Sequence, residues 1–278
     1  MSMKLPVVVV IFSHNETLED SEKISLQQCA RILGKHPLRL MCPRGMDTGE
    51  YTKIAPQLVI DEIDPVCLSS LPAYNRFKTD LYLYDYYRGY EYMLTYELDS
   101  FVFSDDLLYW CSKDWDFIGA PWFEGDYTPT PNASVILGGN SGFSLRKISS
   151  CRRVLKSWRL MRPLREVFNV WQSRGCYTLG AFKLLVQQAF FWNAFHHKHN
   201  HFIGAEDQFW TCLVPDRLKW FKVADYQSSV KFSFELLPSR LYAENKHQLP
   251  FGCHKWISYE PDFWRKHIES VGYTFPEK

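Results

Sequence analysis

Glu97-Leu98-Asp99 sets two carboxylates two residues apart, directly after the apolar run Tyr92 to Tyr96. In a strand, residues i and i+2 point to one side, so at a strand end both acids can face one cation. Mg²⁺ and Mn²⁺ take such hard oxygen ligands and share them with substrate phosphates. The same pair also suits an exposed strand terminus. Three more segments carry chemistry-bearing residues. Gly138-Gly139-Asn140-Ser141-Gly142-Phe143-Ser144-Leu145-Arg146 lets backbone approach a ligand closely. Asn140 there offers both donor and acceptor groups for sugar hydroxyls; alone, the segment reads as a glycine-rich turn into a strand. Glu206-Asp207, after Gly204-Ala205, puts acids where a helix start favours them, or makes Asp207 a general base for a hydroxyl. Late in the chain, His254 offers a metal ligand and Lys255 a phosphate partner, although a lone His is often an ordinary polar residue.

These groups need a scaffold, and the apolar pattern supplies one. Val7 to Phe12 is an uninterrupted, largely β-branched run, as expected of a strand covered on both faces. Thr17-x-x-Asp20 stands ahead of a helical stretch with Leu26, Ala30 and Leu33 in register and Gly34 to end it. Leu38 to Cys42 and Gln57 to Ile60 read as strands, so the chain opens β-α-β. Phe77, Leu81 and Tyr84 mark a further helix, and helices are expected near 147–162, 180–198 and 206–213. A last helix begins at Pro261 and ends by Gly272. The acid pair then lies at the carboxyl edge of an open α/β sheet, where ligands bind.

The order of the segments is more informative than any one of them. A first strand and polar loop, an acid pair after a later strand, a glycine segment, an acidic pair and a late His resemble the GT-A glycosyltransferases. The closest likeness is to a mostly bacterial group of glycosyltransferase-like sequences classed as a domain of unknown function. It is carried by Tyr74-Asn75-Arg76, Leu98-Asp99-Ser100, Phe117-Ile118-Gly119-Ala120-Pro121-Trp122, Gly139 to Arg146 and Glu206-Asp207, and extends from about residue 5 to 257.

The resemblance implies an α/β, GT-A-like, open, mixed and mostly parallel sheet flanked by helices. It would form one domain, residues 1–278, with a Rossmann-like nucleotide-sugar half to about 105 and an acceptor half from about 106. It implies a sugar transferase using a nucleotide-sugar donor, with a UDP-sugar favoured by family habit, and Mn²⁺ or Mg²⁺ as cofactor. Asp99 and His254 would bind the metal, with Glu97 ligating through water or meeting the ribose. Ser13, Asn15, Arg76, Lys78, Ser100 and Lys255 would hold the donor. Gly139, Asn140, Ser141, Glu206 and Trp122 would line the sugar and acceptor pocket, and Asp207 would be the base of an inverting transfer; retention is the alternative. Glu97 departs from the usual motif, in which the first position is Asp.

Composition narrows the field. Lys+Arg 32 against Asp+Glu 31 gives a net charge of +1, which disfavours general nucleic-acid binding. Aromatics at 17% suit sugar stacking as well as core filling. Eight Cys without a CxxC pair read as reduced thiols of a cytoplasmic protein. Signal-peptide and membrane-spanning patterns are not expected. Lys147, Arg152, Arg153, Lys156, Arg159, Arg162 and Arg165 precede the first nearby acid, Glu166. That run is a solvated helix face, or else a peripheral contact with the inner face of an anionic membrane carrying a lipid-linked glycan acceptor. Such an enzyme would serve cell-surface polysaccharide synthesis. His196, His197, His199 and His201 read as an exposed helix end rather than a zinc site. Trp122 to Val135 is a lid or a surface loop. Two rival functions remain: a metal-dependent phosphoesterase using Glu97, Asp99, Asp207 and His254, and an inactive GT-A domain that only binds sugar or nucleotide.

Overall fold

Val7 to Ile11 are 0% exposed, and their side chains divide between two cores. Val7, Val9 and Ile11 pack with Leu26, Cys29 and Leu33 of the helix Asp20–Leu33. Val8, Val10 and Phe12 pack with Phe77, Leu83, Tyr84, Cys151 and Val154 from three helices on the other face. A strand sandwiched in this way has no polar face, which is why its sequence runs apolar without alternation. Each fully buried Val or Ile contributes roughly 1.5–3 kcal/mol over exposure.

The computed structural model describes residues 5–276 except 126, 137–138, 174–177, 188, 190–191 and 197–203. Its strands are β1 (Leu5–Phe12), β2 (Leu38–Pro43), β3 (Val59–Ile63), β4 (Tyr90–Tyr96), β5 (Ser100–Val102), β6 (Phe117–Ile118), β7 (Trp122–Phe123), β8 (Val135–Ile136), β9 (Phe143–Lys147), β10 (Ser233–Phe234) and β11 (Gly252–His254). The main sheet has the order β3-β2-β1-β4-β9-β6. Strands β3, β2, β1 and β4 are parallel neighbours, and β9 runs antiparallel between β4 and β6. This is the expected α/β class: an open, mixed, mostly parallel sheet flanked by helices. The strand order reverses between β1 and β4, so a crevice opens at their carboxyl ends. A smaller sheet, β10-β11-β5, lies beside that edge and packs on Phe263, Trp264 and Ile268 of the helix Pro261–Glu269.

Several elements differ from the sequence reading, each for a local reason. The first long helix closes its start with the Glu22 carboxylate accepting from the Glu19 amide at 2.8 Å, not through Thr17 and Asp20. Phe77 and Tyr84 sit on separate helices, Leu71–Lys78 and Leu81–Tyr86, because Asp80 accepts from the Tyr82 amide at 2.8 Å and starts the second. The helix expected near 147–162 stops at Leu155, and that expected over 180–198 covers Leu179–Val186, with much of its remainder outside the described residues. After Glu206–Gln208 the chain makes a π-helical turn, Phe209–Leu213, before Val214–Arg217; such turns often accompany functional sites. Trp122 to Val135 is closed by the β7–β8 pairing and tied down by Arg240, whose guanidinium donates to the Ala133 carbonyl at 2.7 Å. Of the His tract only His196 is described; it is half-buried against the Trp158 ring.

Candidate active site and metal centre

The turn after β4 is held from three directions. The Glu97 amide donates to the Gly142 carbonyl at 2.9 Å, and the Ser100 amide closes the turn onto the Glu97 carbonyl at 2.9 Å. Ser25 Oγ, on the first helix, donates to the Ser100 carbonyl at 2.6 Å, and Gln28 Nε2 donates to the Val102 carbonyl at 2.6 Å. Because β5 then pairs antiparallel with β11, His254 falls opposite Ser100 and beside the acids. Gly142 makes room for it: a Cβ there would collide with the His254 ring at Nε2, Cε1 and Cδ2. Gly139 is similarly obliged to be small, since its Cβ would meet Gly119 backbone at 2.9–3.2 Å.

Glu97, Asp99 and His254 bring one ligand atom each to within 4.8 Å of one another. His254 Nε2 stands 2.9 Å from Asp99 Oδ1 and 3.3 Å from Glu97 Oε2. Yet Asp99 Oδ1 and His254 Nε2 are buried atoms without a hydrogen bond of proper geometry. Atoms that converge without bonding one another fit a divalent cation between them, held by two carboxylates and one imidazole. Behind the ring, His254 Nδ1 lies 3.3 Å from Oε1 of Glu235, itself 3% exposed. A carboxylate behind a ligating imidazole fixes its orientation and raises its basicity. Burial disfavours the imidazolium, but Asp99 and Glu235 outweigh it and raise the His254 pKa well above its ordinary value. Burial likewise opposes charge on Glu97, and Lys78 with His254 overcomes it, holding that carboxyl well below the usual range.

A buried ion network lies beneath this cluster. Lys78, 1% exposed, reaches Glu97 Oε1 at 3.0 Å, Glu206 Oε1 at 2.8 Å and Ser141 Oγ at 3.1 Å. Arg146, 0% exposed, donates to the same Glu206 oxygen at 2.9 Å and to Tyr84 Oη at 3.0 Å. Two cations against two carboxylates balance the buried charge, as such a network requires. Glu206 stays ionised: burial pushes its pKa up, and Arg146 and Lys78 pull it below the ordinary value. Asp207 next to it has no such partner among the described residues. Burial first, and the Glu206 charge second, push its pKa up to about 7. Its Oδ1 accepts from the Gln208 amide at 2.8 Å.

A cavity of about 370 Å³ opens at the β1–β4 crevice, with Ser13, Asn15, Tyr74, Glu97 and Asp99 among its lining. Ser13 Oγ and Tyr51 Oη are 2.7 Å apart, and Tyr51 Oη donates to the Asn15 carbonyl at 2.7 Å, which fixes the loop after β1. The structure thus gathers Ser13, Asn15, Glu97 and Asp99 around one cavity, with His254 beside the acids. It does not bring the rest to that cavity. Arg76 is on the exposed side of its helix. Lys78 and Glu206 are committed to the ion network, so the expected direct donor contact of Lys78 gives way to a place below the acids. Ser100 is buried with its Oγ 3.5 Å from the Gly142 carbonyl. Asn140 Oδ1 caps its own turn by accepting from the Gly142 amide at 2.8 Å. Trp122 rests against Tyr127, and Lys255 lies with its ammonium over the Tyr127 ring, 3.6 Å from Glu235. Gly138 is outside the described residues. Sequence reasoning missed Glu235 and the Tyr74 hydroxyl, which donates to Glu97 Oε1 at 2.8 Å. The signal for Glu235 was a single acid inside the apolar stretch Phe232 to Leu237.

Residues 57–254 match the family described as a protein of unknown function, DUF5672. The chain belongs to this family. The matched span ends on His254 and contains every residue of the ion network. No curated protein matches the sequence. Among solved structures, mouse xyloside xylosyltransferase 1 in its apo form is 11% identical, with a TM-score of 0.47 over 91% of this chain and 97% of that one. The galactosyltransferase LgtC, solved with donor and acceptor sugar analogues, is 12% identical, with a TM-score of 0.47 over 97% and 98%. A glycosyltransferase involved in glycosylation of the major capsid of PBCV-1 is 10% identical, with a TM-score of 0.43 over 96% and 100%. Likeness at this level says nothing of activity, and the chemistry of the site rests on its own residues.

Proposed function

We propose that this chain is a metal-dependent glycosyltransferase of the GT-A type, moving a sugar from a nucleoside diphosphate sugar to an acceptor hydroxyl. The observation that carries this reading is the meeting of two features: a cavity of about 370 Å³ at the β1–β4 crevice, and the Glu97–Asp99–His254 cluster at its edge. The cavity is of ligand size and stands where open α/β sheets bind nucleotides. Asp99 and His254 would hold Mn²⁺ or Mg²⁺ directly, with Glu97 offering the oxygen that Lys78 and Tyr74 leave free. A cation held there would neutralise charge growing on the departing diphosphate. Ser13 and Asn15 would meet the base or ribose, and Lys255 the diphosphate.

Asp207 serves as the base in this reading. With a pKa near 7 it is substantially ionised at neutral pH and still basic enough to take a hydroxyl proton as the nucleophile attacks. Such help is worth typically about 10²–10⁴-fold. A base acting on the face opposite the leaving group inverts the anomeric centre. The reading is tested by incubating the protein with UDP-, GDP-, dTDP- and CMP-sugars, with Mn²⁺ or EDTA, and measuring free nucleotide. Metal-dependent release from one donor, lost in Asp99→Asn, is expected. Absence of both release and nucleotide binding across the panel would overturn it, and a product that keeps the donor's anomeric configuration would overturn the inverting assignment.

A further inference from the structure

Between Lys147 and Gln187 the sequence carries one acid, Glu166, against nine Lys and Arg. Three of these cations are engaged: Lys147 with Asp114, Arg152 with Asp85, and Arg153 over the Trp220 ring. Lys156, Arg159, Arg162, Arg165 and Lys183 are exposed and form no ion pair among the described residues. Large apolar side chains stand exposed in the same stretch: Trp158 at 73%, Leu179 at 87% and Phe182 at 56%, with Leu164, Phe168 and Leu184 also open to solvent. Leu164 and Phe168 lie four apart on the helix Leu164–Ser173, and Leu179, Phe182 and Lys183 share a face of the helix Leu179–Val186, which touches it. A helix in water turns its apolar stripe inward. Here apolar residues of both helices face outward amid uncompensated positive charge.

We propose that this face docks on an anionic lipid surface, its Trp, Phe and Leu side chains entering the headgroup boundary and its Lys and Arg meeting lipid phosphates. Cations interleaved with aromatic and aliphatic side chains are the pattern of interfacial helices. A second copy of the chain is a poorer occupant, because pairing the face with itself would oppose like charges. Among the described residues no helix is long and apolar enough to cross a membrane, so the contact is peripheral. The proposal is independent of the transfer chemistry, since none of these residues lines the cavity.

The test is co-sedimentation of the full chain with phosphatidylcholine vesicles, with and without phosphatidylglycerol, at low and high salt. Binding is expected only with phosphatidylglycerol, weakening as salt rises. Each cation near such a surface contributes about fivefold in affinity, so Arg159→Gln with Arg162→Gln and Arg165→Gln should lower it by about 100-fold. Leu179→Ser with Phe182→Ser should lower it about tenfold or more. Both variants change exposed side chains and should leave the thermal unfolding transition unmoved, as well as any nucleotide release from a soluble donor. Failure of the wild-type chain to sediment with anionic vesicles, or equal binding by the wild type and both variants, would overturn the proposal. So would a dimer in sedimentation velocity that Leu179→Ser with Phe182→Ser abolishes, which would give the face to a second copy.

Discussion

Replacing Asp207 by Asn should stabilise the protein above neutral pH while removing turnover. The Asp207 carboxyl is buried beside an ionised Glu206, and its pKa moves from the ordinary 3.8 to about 7. The folded state therefore holds a proton that the unfolded chain releases near pH 4. Between these values stability falls as pH rises, because the folded form binds more protons than the unfolded one. Above about pH 7 the full penalty is present. At about 1.4 kcal/mol per pH unit, the interval from 3.8 to about 7 corresponds to roughly 4 kcal/mol. Asn mimics the protonated acid in shape and keeps an acceptor for the Gln208 amide, so its contribution is flat with pH. Urea unfolding at a series of pH values should show the two proteins equally stable near pH 4. The Asn variant should gain progressively to roughly 4 kcal/mol by pH 8, equivalent to roughly 7 °C in Tm for a chain of this size. Titration of carboxylates not coupled to Asp207 cancels in the comparison. A difference that does not change with pH, or a variant no more stable than wild type at pH 8, would refute the reasoning.

Other substitutions probe the cation site and its support. Gly142→Ala should leave the fold intact but push His254 off its position. The new methyl falls 2.1 Å from Nε2 and 2.3 Å from Cε1 against the roughly 3.5 Å of a carbon contact, a displacement of more than about 1 Å. Mn²⁺ affinity by calorimetry should fall about 10–100-fold, and unchanged affinity would mean the imidazole is not a ligand. Glu235→Gln removes the carboxylate behind Nδ1 and should weaken Mn²⁺ by a similar about 10–100-fold, measured in the same way, with an unchanged thermal transition midpoint in EDTA as the control. Arg146→Met leaves Glu206 with Lys78 alone and should cost about 3–5 kcal/mol in denaturant unfolding, because one partner of a buried pair is lost.

The fold was legible where burial dictates composition. The β1 run declares a strand with two covered faces, and the spacing of Glu97 and Asp99 after β4 declares two acids at a sheet edge. What escaped depends on long-range pairing. Even His254, which the resemblance to GT-A glycosyltransferases put in the metal shell, joins the acids only because β11 lies against β5, and no local pattern announces that register. The resemblance gives Lys78 a direct hold on the donor. Its actual setting requires Glu97 and Glu206, far apart in the chain, to converge on one ammonium. Glu235 was hidden among aromatics for the same reason, its partners being His254 and Lys255. The helix start failed differently: acids and hydroxyls near residue 20 allow several capping registers, and the chain takes Glu19–Glu22.

In the proposed transfer the ion network gives these long-range contacts a chemical purpose. A base with a pKa near 7 needs more than burial, since burial alone would also protonate the neighbouring Glu206. Lys78 and Arg146 keep that neighbour charged at a position where it would otherwise be neutral. The fixed negative charge then acts on Asp207, which has no cation of its own among the described residues. Adjacent carboxyls are thereby driven in opposite directions, one locked as an anion and the other poised near neutrality, which is how acid and base roles are separated in a single site. Because Lys78 also grips Glu97, the same buried ammonium holds the neighbour of the proposed base and an acid of the candidate cation site.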